Sequence, residues 1–197
     1  PWGAMDDVID LAPDLDDPTV RGDRGVSLLP RTDRVRLAPD RSVLAVRQGS
    51  LVARCDCWWR ARAAHDGAQA RTGIIGHYAA VDRQAGEAVL SRACKLLEAA
   101  GCANAVGPMD GTTWRRYRFI IERGNEPTFF LEPDHPGEWP EHWSSAGFSP
   151  LANYTSAVTH QVDVDHAYTS GALARLSSAG ISIREFDSAQ PDAELRR

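Results

Sequence analysis

The sequence predicts an α/β fold of the α+β kind, in which a meander of antiparallel strands leads into a helix and a further strand. Apolar, β-prone runs follow one another up to Val81. Between Gly86 and Ala100 the apolar period changes from two residues to about 3.6, which predicts an amphipathic helix. The chain has 197 residues and 43% hydrophobic content, enough to bury one ordinary core.

The first half of the chain supplies the strands of the meander. Pro30 and Pro39 separate short β-prone runs. Alternation after Leu51 places Cys55 and Cys57 on one face of a strand. The predicted strands comprise residues 26–29, 34–37, 42–47, 51–59 and 73–81, the last of which is apolar enough for a central position.

Shorter elements are predicted after the helix, which ends at Gly101, a residue type common at helix C-termini. In chain order they are strands at 105–107, 116–121 and 128–131, a helix at 139–146, a strand at 151–164, a helix at 172–179, a strand at 181–186 and a helix beginning at 192.

Composition excludes several classes of protein. The net charge is -5 and no basic cluster occurs, so we expect no nucleic-acid partner. No apolar run approaches the roughly 20 residues of a membrane helix, and no leader precedes the fold, so we expect no membrane contact and a cytoplasmic location. A zinc site at Cys55, Cys57 and His65 is an alternative, but it lacks a fourth ligand, and we expect no metal.

The turn after the strand at 73–81 has residues suited to an anion. Its sequence is Arg83-Gln84-Ala85-Gly86-Glu87-Ala88. A helix N-terminus offers unpaired N–H groups and the positive end of the helix dipole, and glycine lets a phosphate approach the backbone. The alternative is an ordinary strand-to-helix turn, capped by Asp82.

This order of elements resembles the GNAT superfamily of acyltransferases. The family's turn, Arg/Gln-x-x-Gly-x-Gly/Ala, is matched at positions 83, 86 and 88. Gly-Pro-Met at 107–109, a Pro-rich loop at 129–136 and Gly147-Phe148 resemble a divergent subgroup. The resemblance implies a twisted, mixed, mainly antiparallel sheet over residues 26–167, flanked by helices on both faces.

The resemblance also implies an acyl-CoA-dependent N-acyltransferase, with acetyl-CoA or another acyl-CoA as co-substrate. A small-molecule or carrier-bound amine would attack the thioester directly. The N–H groups of Ala80 and Val81 would stabilise the oxyanion. The residues expected at the cofactor are Ala80, Val81, Arg83, Gln84, Ala85, Gly86, Glu87 and Ala88.

The catalytic residues are less well marked by the sequence. Where many family members have a proton-donating tyrosine, this chain has Trp143. Tyr154 is a candidate proton donor to the thiol, and Asp110 a candidate for polarising the amine. Two alternatives to this function remain. In the first, the domain is catalytically silent and pairs with a second domain or forms a homodimer. In the second, the acyl group is transferred from the CoA thioester to a carrier-protein thiol.

The ends of the chain predict its domain organisation. Residues 1–25 are expected to be a loosely ordered lead-in, with a cloning scar before Met5. Residues 168–197 are expected to form a linker helix and the start of a second GNAT-like domain. The sequence Ile181-Ser-Ile-Arg-Glu-Phe-Asp resembles the opening strand of such domains.

Overall fold

The computed structural model describes residues 7–11, 21–22, 26–30, 36–60, 71–127, 134–158, 166–185 and 187–194. The chain divides into two compact units, residues 1–153 and 154–197. The sheet lies in the first unit. The sequence had placed the boundary at residue 167, inside what is the second unit.

The described residues form an α+β arrangement. Its strands are β1 (Asp7–Leu11), β2 (Arg21–Gly22), β3 (Arg41–Arg47), β4 (Ser50–Trp58), β5 (Thr72–Ala80) and β6 (Asn104–Val106). Its helices are α1 (Arg83–Ala99), α2 (Trp139–Ser145), α3 (His166–Ser178) and α4 (Pro191–Glu194).

The sheet is mixed and mostly antiparallel. Its strand order is β1-β3-β4-β5-β6, with β2 beside β4. The β5–β6 and β2–β4 pairs are parallel, and the other pairs are antiparallel. Helix α1 makes the crossover between β5 and β6, as a parallel connection requires. The predicted strands at 42–47, 51–59, 73–81 and 105–107 and the predicted helices at 86–100 and 139–146 are confirmed within a few residues at their ends.

One face of the sheet is apolar and packs against α1. The helix turns its apolar residues to the sheet at three- and four-residue spacing, and a left-handed Gly101 (φ 82°) follows its end. This core consists mainly of Val43, Ala45, Cys55, Cys57, Ile75 and Tyr78 from the strands and of Val89, Leu90, Ala93 and Leu97 from α1.

The opposite face has smaller apolar clusters. Val26 covers Leu44, Leu51 and Ala79, while Leu37 packs beside the group formed by Trp58, Ile74 and Met109. Helices on both faces stay a prediction, because residues 31–35 lie outside the described part of the chain.

Part of the predicted lead-in is a strand. Residues 7–11 pair with β3 as β1, because Ile9 packs onto the second face and Asp10 forms an ion pair with Arg92 of α1. The side chain of Val8 is more exposed, as alternation along a strand requires.

Four strand predictions are wrong within the described residues. Arg36 and Leu37, the described part of the predicted strand at 34–37, are helical. Residues 116–121, 151–158 and 181–185 have no regular structure, and 26–29 contribute only a single bridge at Val26. Alternation alone is insufficient because a strand needs a neighbour to pair its backbone groups. The predicted strand at 128–131, residues 159–164 and residues 195–197 lie outside the described part.

Candidate functional site

A bulge in β5 creates the most unusual backbone feature of the sheet. Asp56 is opposite Gly76 and Arg54 is opposite Ala79, so β5 has one residue more than β4 between these pairs. The extra residue of the bulge is accommodated with His77 in the left-handed region of backbone conformation, at φ 48°. Non-glycine residues held in this region are strained and occur more often than expected at functional sites.

The ring of His77 lies between two carboxylates. Its Nδ1 is 2.6 Å from Oδ2 of Asp56, and its Nε2 is 3.8 Å from Oδ2 of Asp110. The three side chains are 8%, 5% and 14% exposed, respectively, so the group is nearly desolvated. The backbone N–H of His77 also donates to Oδ1 of Asp110 at 2.6 Å. The bulge and Asp110 together therefore determine the position of the ring.

Arg54 contributes a partly buried positive charge beside this group. Its Nε donates to the carbonyl of Ser27 at 2.7 Å, and its Nη1 donates to the carbonyl of His77. Burial lowers the pKa of Arg54, and the nearby Asp56 and Asp110 carboxylates oppose that shift. The guanidinium thus joins the bulge to the segment that covers this face.

A small pocket adjoins the group on the β3 side. Ser42 is directly opposite Asp56 in the β3–β4 pair, so the two side chains share a face. The hydroxyl of Ser42 is buried and has no hydrogen-bond partner in the described residues. The cavity has a volume of about 10 Å³, which is room for about one water molecule. Its lining residues are Leu28, Leu29, Ser42, Leu44, Arg54 and Asp56.

We call Ser42, Asp56, His77 and Asp110 the polar row, since they cross neighbouring strands of the sheet. A histidine held by carboxylates can accept or donate a proton, and a carboxylate on one ring nitrogen orients the ring. The sequence predicted Asp110 but missed the other members. One signal was available: charged residues occur two positions apart, at Arg54 and Asp56, in an otherwise apolar central strand.

The start of α1 has an internal carboxylate as its cap. Oδ1 of Asp82 accepts the backbone N–H of Ala85 at 2.9 Å, and its Oδ2 accepts Nη1 of the buried Arg47 at 2.6 Å. Burial alone would raise the pKa of Asp82, but the hydrogen bonds from Arg47 and Ala85 lower it overall. Asp82 is therefore the N-cap, as the alternative interpretation of this turn expected.

Gly86 is enclosed by aromatic side chains. A Cβ atom at this position would lie 2.1 Å from the hydroxyl oxygen of Tyr78 and 3.0 Å from Nδ1 of His142. These two side chains are hydrogen bonded to each other at 2.9 Å. Burial raises the pKa of Tyr78 and lowers that of His142. Packing alone therefore accounts for the glycine.

Backbone groups at the end of β5 are hydrogen bonded to other parts of the protein. The N–H of Val81 donates to the carbonyl of Val52 at 2.9 Å, and Nε1 of Trp139 donates to the carbonyl of Ala80 at 3.1 Å. The expected oxyanion donor at Val81 thus already has a partner. The buried indole N–H of Trp143 has none in the described residues.

The remaining predicted cofactor residues surround the first turns of α1. Arg83 is 68% exposed, and its Nε is 3.6 Å from Oε1 of Glu87, one turn later on the helix. Gln84 is exposed and its side-chain oxygen accepts from Arg47 at 3.4 Å, whereas Ala88 is half-buried.

The two predicted catalytic residues belong to different units of the chain. Tyr154 belongs to the second unit, and its side chain is 63% exposed, whereas Asp110 belongs to the first. His65 of the zinc alternative lies outside the described residues, and Cys55 and Cys57 are buried free thiols. In the described ranges, no group of three or more His, Cys, Asp or Glu could hold a metal ion. No helix in those ranges is both long and apolar enough to cross a bilayer.

No protein-family model matches the chain, and no curated protein or solved structure matches it significantly.

Proposed function

We propose that the chain is a GNAT-like, acyl-CoA-dependent N-acyltransferase, with acetyl-CoA or another acyl-CoA as donor. The observation that carries the proposal is the β5–α1–β6 unit. The parallel pairing covers only residues 72–74 of β5, whereas the strand continues to Ala80, where α1 is about to begin. Ligands of α/β sheets bind beyond the carboxyl ends of parallel strands, near the N-terminus of the connecting helix.

Two side chains in this region favour an acyl-CoA ligand. Arg83 is exposed at the first helical position, where its charge and the helix dipole would both attract a phosphate. The unpartnered indole N–H of Trp143 is a donor that a carbonyl of the ligand would satisfy. Glu87 opposes the phosphate, although its carboxylate lies within ion-pair distance of Arg83.

The proposed reaction transfers an acyl group from sulfur to nitrogen. The nitrogen of the amine attacks the thioester carbonyl, the C–N bond forms and the C–S bond breaks, with its electron pair leaving on sulfur. The attacking nitrogen loses a proton and the thiolate gains one, so that the products are an amide and free CoA. The polar row offers proton acceptors for the first transfer.

A catalytically silent domain is the second candidate. The observation that favours it is the internal use of groups at the end of β5. The Ala85 N–H is capped by Asp82, the Val81 N–H is paired in the sheet, and the Ala80 carbonyl accepts from Trp139. A ligand would have to displace one of these contacts or use others.

Calorimetric titration with acetyl-CoA and with CoA at low ionic strength decides between these candidates. We expect micromolar binding that weakens about tenfold or more in Arg83→Glu, since a hydrogen bond between charged groups contributes about 1.5–3 kcal/mol. Lys95→Glu is the matched control because it reverses one exposed charge about 18 Å further along α1. Absence of binding by the folded protein, or equal losses in both variants, would reject this site.

A further inference from the structure

A tight turn that follows Asp110 presents a tryptophan to solvent. We call residues 111–116 the tryptophan turn. The side chain of Trp114 is 94% exposed, which makes it the most exposed large apolar side chain in the described part of the chain. A single exposed apolar residue is ordinary by itself, so the shape of the turn and the charges beside the indole decide whether it has a role.

The tryptophan turn is held in shape by its own hydrogen bonds. The N–H of Arg115 donates to the carbonyl of Thr112, and the N–H of Trp114 donates to the hydroxyl of Thr112, both at 3.3 Å. At its base the N–H of Asp110 donates to the carbonyl of Arg116 at 2.8 Å. A partner that binds a preformed turn loses less conformational entropy than one that must order a loop.

The charges beside the indole are positive and unpaired. Arg115 and Arg116 are exposed, and neither guanidinium group forms an ion pair with a described residue. Arg123, further along the same segment, is by contrast paired with Asp134. Tryptophan and arginine are the residue types that contribute most to protein–protein interfaces. The turn therefore fits a partner with negative charge.

The size and shape of the tryptophan turn favour a polypeptide as that partner. Its indole protrudes, whereas small molecules bind in hollows that enclose them. Nucleic-acid binding depends on several phosphate contacts, and here two unpaired arginines stand in a chain with a net charge of -5. Segments that bind a membrane surface insert a whole apolar face, but this turn offers one indole.

We propose that the tryptophan turn docks an acidic polypeptide segment. The indole of Trp114 packs among apolar side chains of that segment, and its burial there supplies most of the affinity. Arg115 and Arg116 pair with carboxylates on either side of that contact, which determines the orientation of the segment.

The base of the tryptophan turn is continuous with the polar row. Asp110 accepts the N–H of His77 at 2.6 Å. A Cβ atom on Gly111 would lie 3.5 Å from the indole of Trp58, whose ring centroid is 5.3 Å from that of His77. A segment docked on the turn therefore lies next to the proton acceptors of the polar row.

The docked segment supplies the acyl acceptor, a step that rests on the proposed function. A lysine amine of the segment attacks the thioester carbon of the acyl-CoA. A C–N bond forms, the C–S bond breaks with its electron pair left on sulfur, and the proton lost by the nitrogen is balanced by the one that the thiolate gains. The acceptor class is thus an amine on an acidic polypeptide.

The test measures fluorescence anisotropy of a short fluorescein-labelled peptide with the full chain. The peptide contains glutamates on both sides of two leucines and a single lysine, and its control has glutamine in place of every glutamate. We expect saturable binding of the acidic peptide and at least about tenfold weaker binding of the glutamine peptide. Absence of saturable binding, or equal binding of both peptides, would overturn the proposal.

Two matched pairs of variants locate the surface. Trp114→Ala should weaken binding at least about tenfold, the loss typical of a central interface residue. Leu151→Ala, at a side chain that is 81% exposed, should have no effect. Arg115→Glu should weaken binding about fivefold because it reverses a charge at the contact, whereas Lys95→Glu reverses an exposed charge on α1 and should not. Equal effects within either pair would overturn the proposal.

Urea midpoints of all four variants accompany the binding curves. Each should equal the midpoint of the unaltered chain, because the four side chains are exposed. A lower midpoint in Trp114→Ala would mean that the indole packs inside the protein, and would overturn the proposal as well.

Other partners and acetyl-CoA complete the experiment. Oligothymidylate, or vesicles of phosphatidylcholine and phosphatidylserine, should compete poorly with the acidic peptide; tighter binding of either would overturn the proposal. Acetyl-CoA is titrated calorimetrically into the same sample. Peptide binding without CoA binding rejects the acyltransferase and leaves a docking surface, whereas CoA binding without peptide binding rejects the docking surface alone. If both bind, mass spectrometry should find the peptide lysine acetylated, and Trp114→Ala should raise KM for the peptide more than it lowers kcat.

Discussion

The two faces of the sheet differ in how many polar side chains they bury. The face under α1 is filled by aliphatic and sulfur-containing residues, such as Val43, Cys57 and Leu90. The other face has smaller apolar clusters and also carries the polar row and Arg54 on the same central strands. Apolar burial stabilises a fold directly, whereas a buried ion pair is weak evidence of stability, since its desolvation cost rivals its attraction. The first face thus explains why the chain folds, and the second is where function is expected.

The largest expected effect tests whether the polar row is as buried as this comparison requires. Asp56→Ala should lower the free energy of unfolding by about 3–5 kcal/mol, because it removes a carboxylate beside Arg54 and leaves Nδ1 of His77 without its hydrogen-bond partner. Urea denaturation measures it. Asp56→Asn keeps the shape of the side chain and an acceptor oxygen, so it should lower the free energy of unfolding clearly less than Asp56→Ala does.

Asp134→Ala is the control for this pair of variants. It removes an exposed carboxylate that bonds Arg123, and the urea midpoint should not move. If Asp56→Ala behaved like Asp134→Ala, the polar row would be solvated and the contrast between the faces would be lost.

An intermediate effect tests the apolar face. Gly86→Ala should cost about 1–3 kcal/mol of unfolding free energy, because the new Cβ collides with the hydroxyl of Tyr78. Removing that hydroxyl in Tyr78→Phe should restore part of the loss in a double-mutant cycle. Gly137→Ala, where nothing lies within 4 Å of the new atom, should be nearly neutral.

Gly86→Ala also tests whether the turn motif at positions 83, 86 and 88 serves a ligand. If Gly86→Ala folded with unchanged stability but lost acetyl-CoA affinity, the glycine would serve the ligand and not the packing. Packing against Tyr78 would then not be the reason for a glycine at position 86.

The smallest expected effect concerns the cap of α1. Asp82→Ala should lower the free energy of unfolding by about 1–2 kcal/mol at neutral pH, since it removes an N-cap hydrogen bond and the partly exposed carboxylate that pairs with Arg47. The folded pKa of Asp82 is lower than its unfolded value. Its contribution is therefore complete above the unfolded pKa and is lost as the pH falls through the folded pKa.

Stability curves of both proteins from pH 7 down to pH 2 provide the measurement. The difference between Asp82→Ala and the unaltered chain should shrink as the pH is lowered. A difference that is independent of pH would mean that the Asp82 carboxylate gains nothing from Arg47 and Ala85 when the chain folds.

Most of the central elements could be predicted from the sequence because their signals are local. Periodicity identified β3, β4, β5 and α1, and glycine marked the end of α1. The same method failed for residues 116–121 and 181–185, whose alternation matches that of a strand. There Phe119 packs on Tyr78 and Trp143, and Ile181 and Ile183 are exposed. A sheet neighbour, absent at these positions in the described residues, decides the outcome.

The candidate site shows the same division. The sequence by itself determined that a helix follows β5, that Asp82 could cap it and that Asp110 follows a strand, since these depend on neighbours along the chain. Only the tertiary structure decided that His77 meets both Asp110 and Asp56. These two residues are 33 and 21 positions away from His77 in the sequence, respectively. It also decided that Tyr78 occupies the space beside Gly86. The physical reason is that a bulge and a strand register set these distances, and both come from pairing between segments remote in sequence.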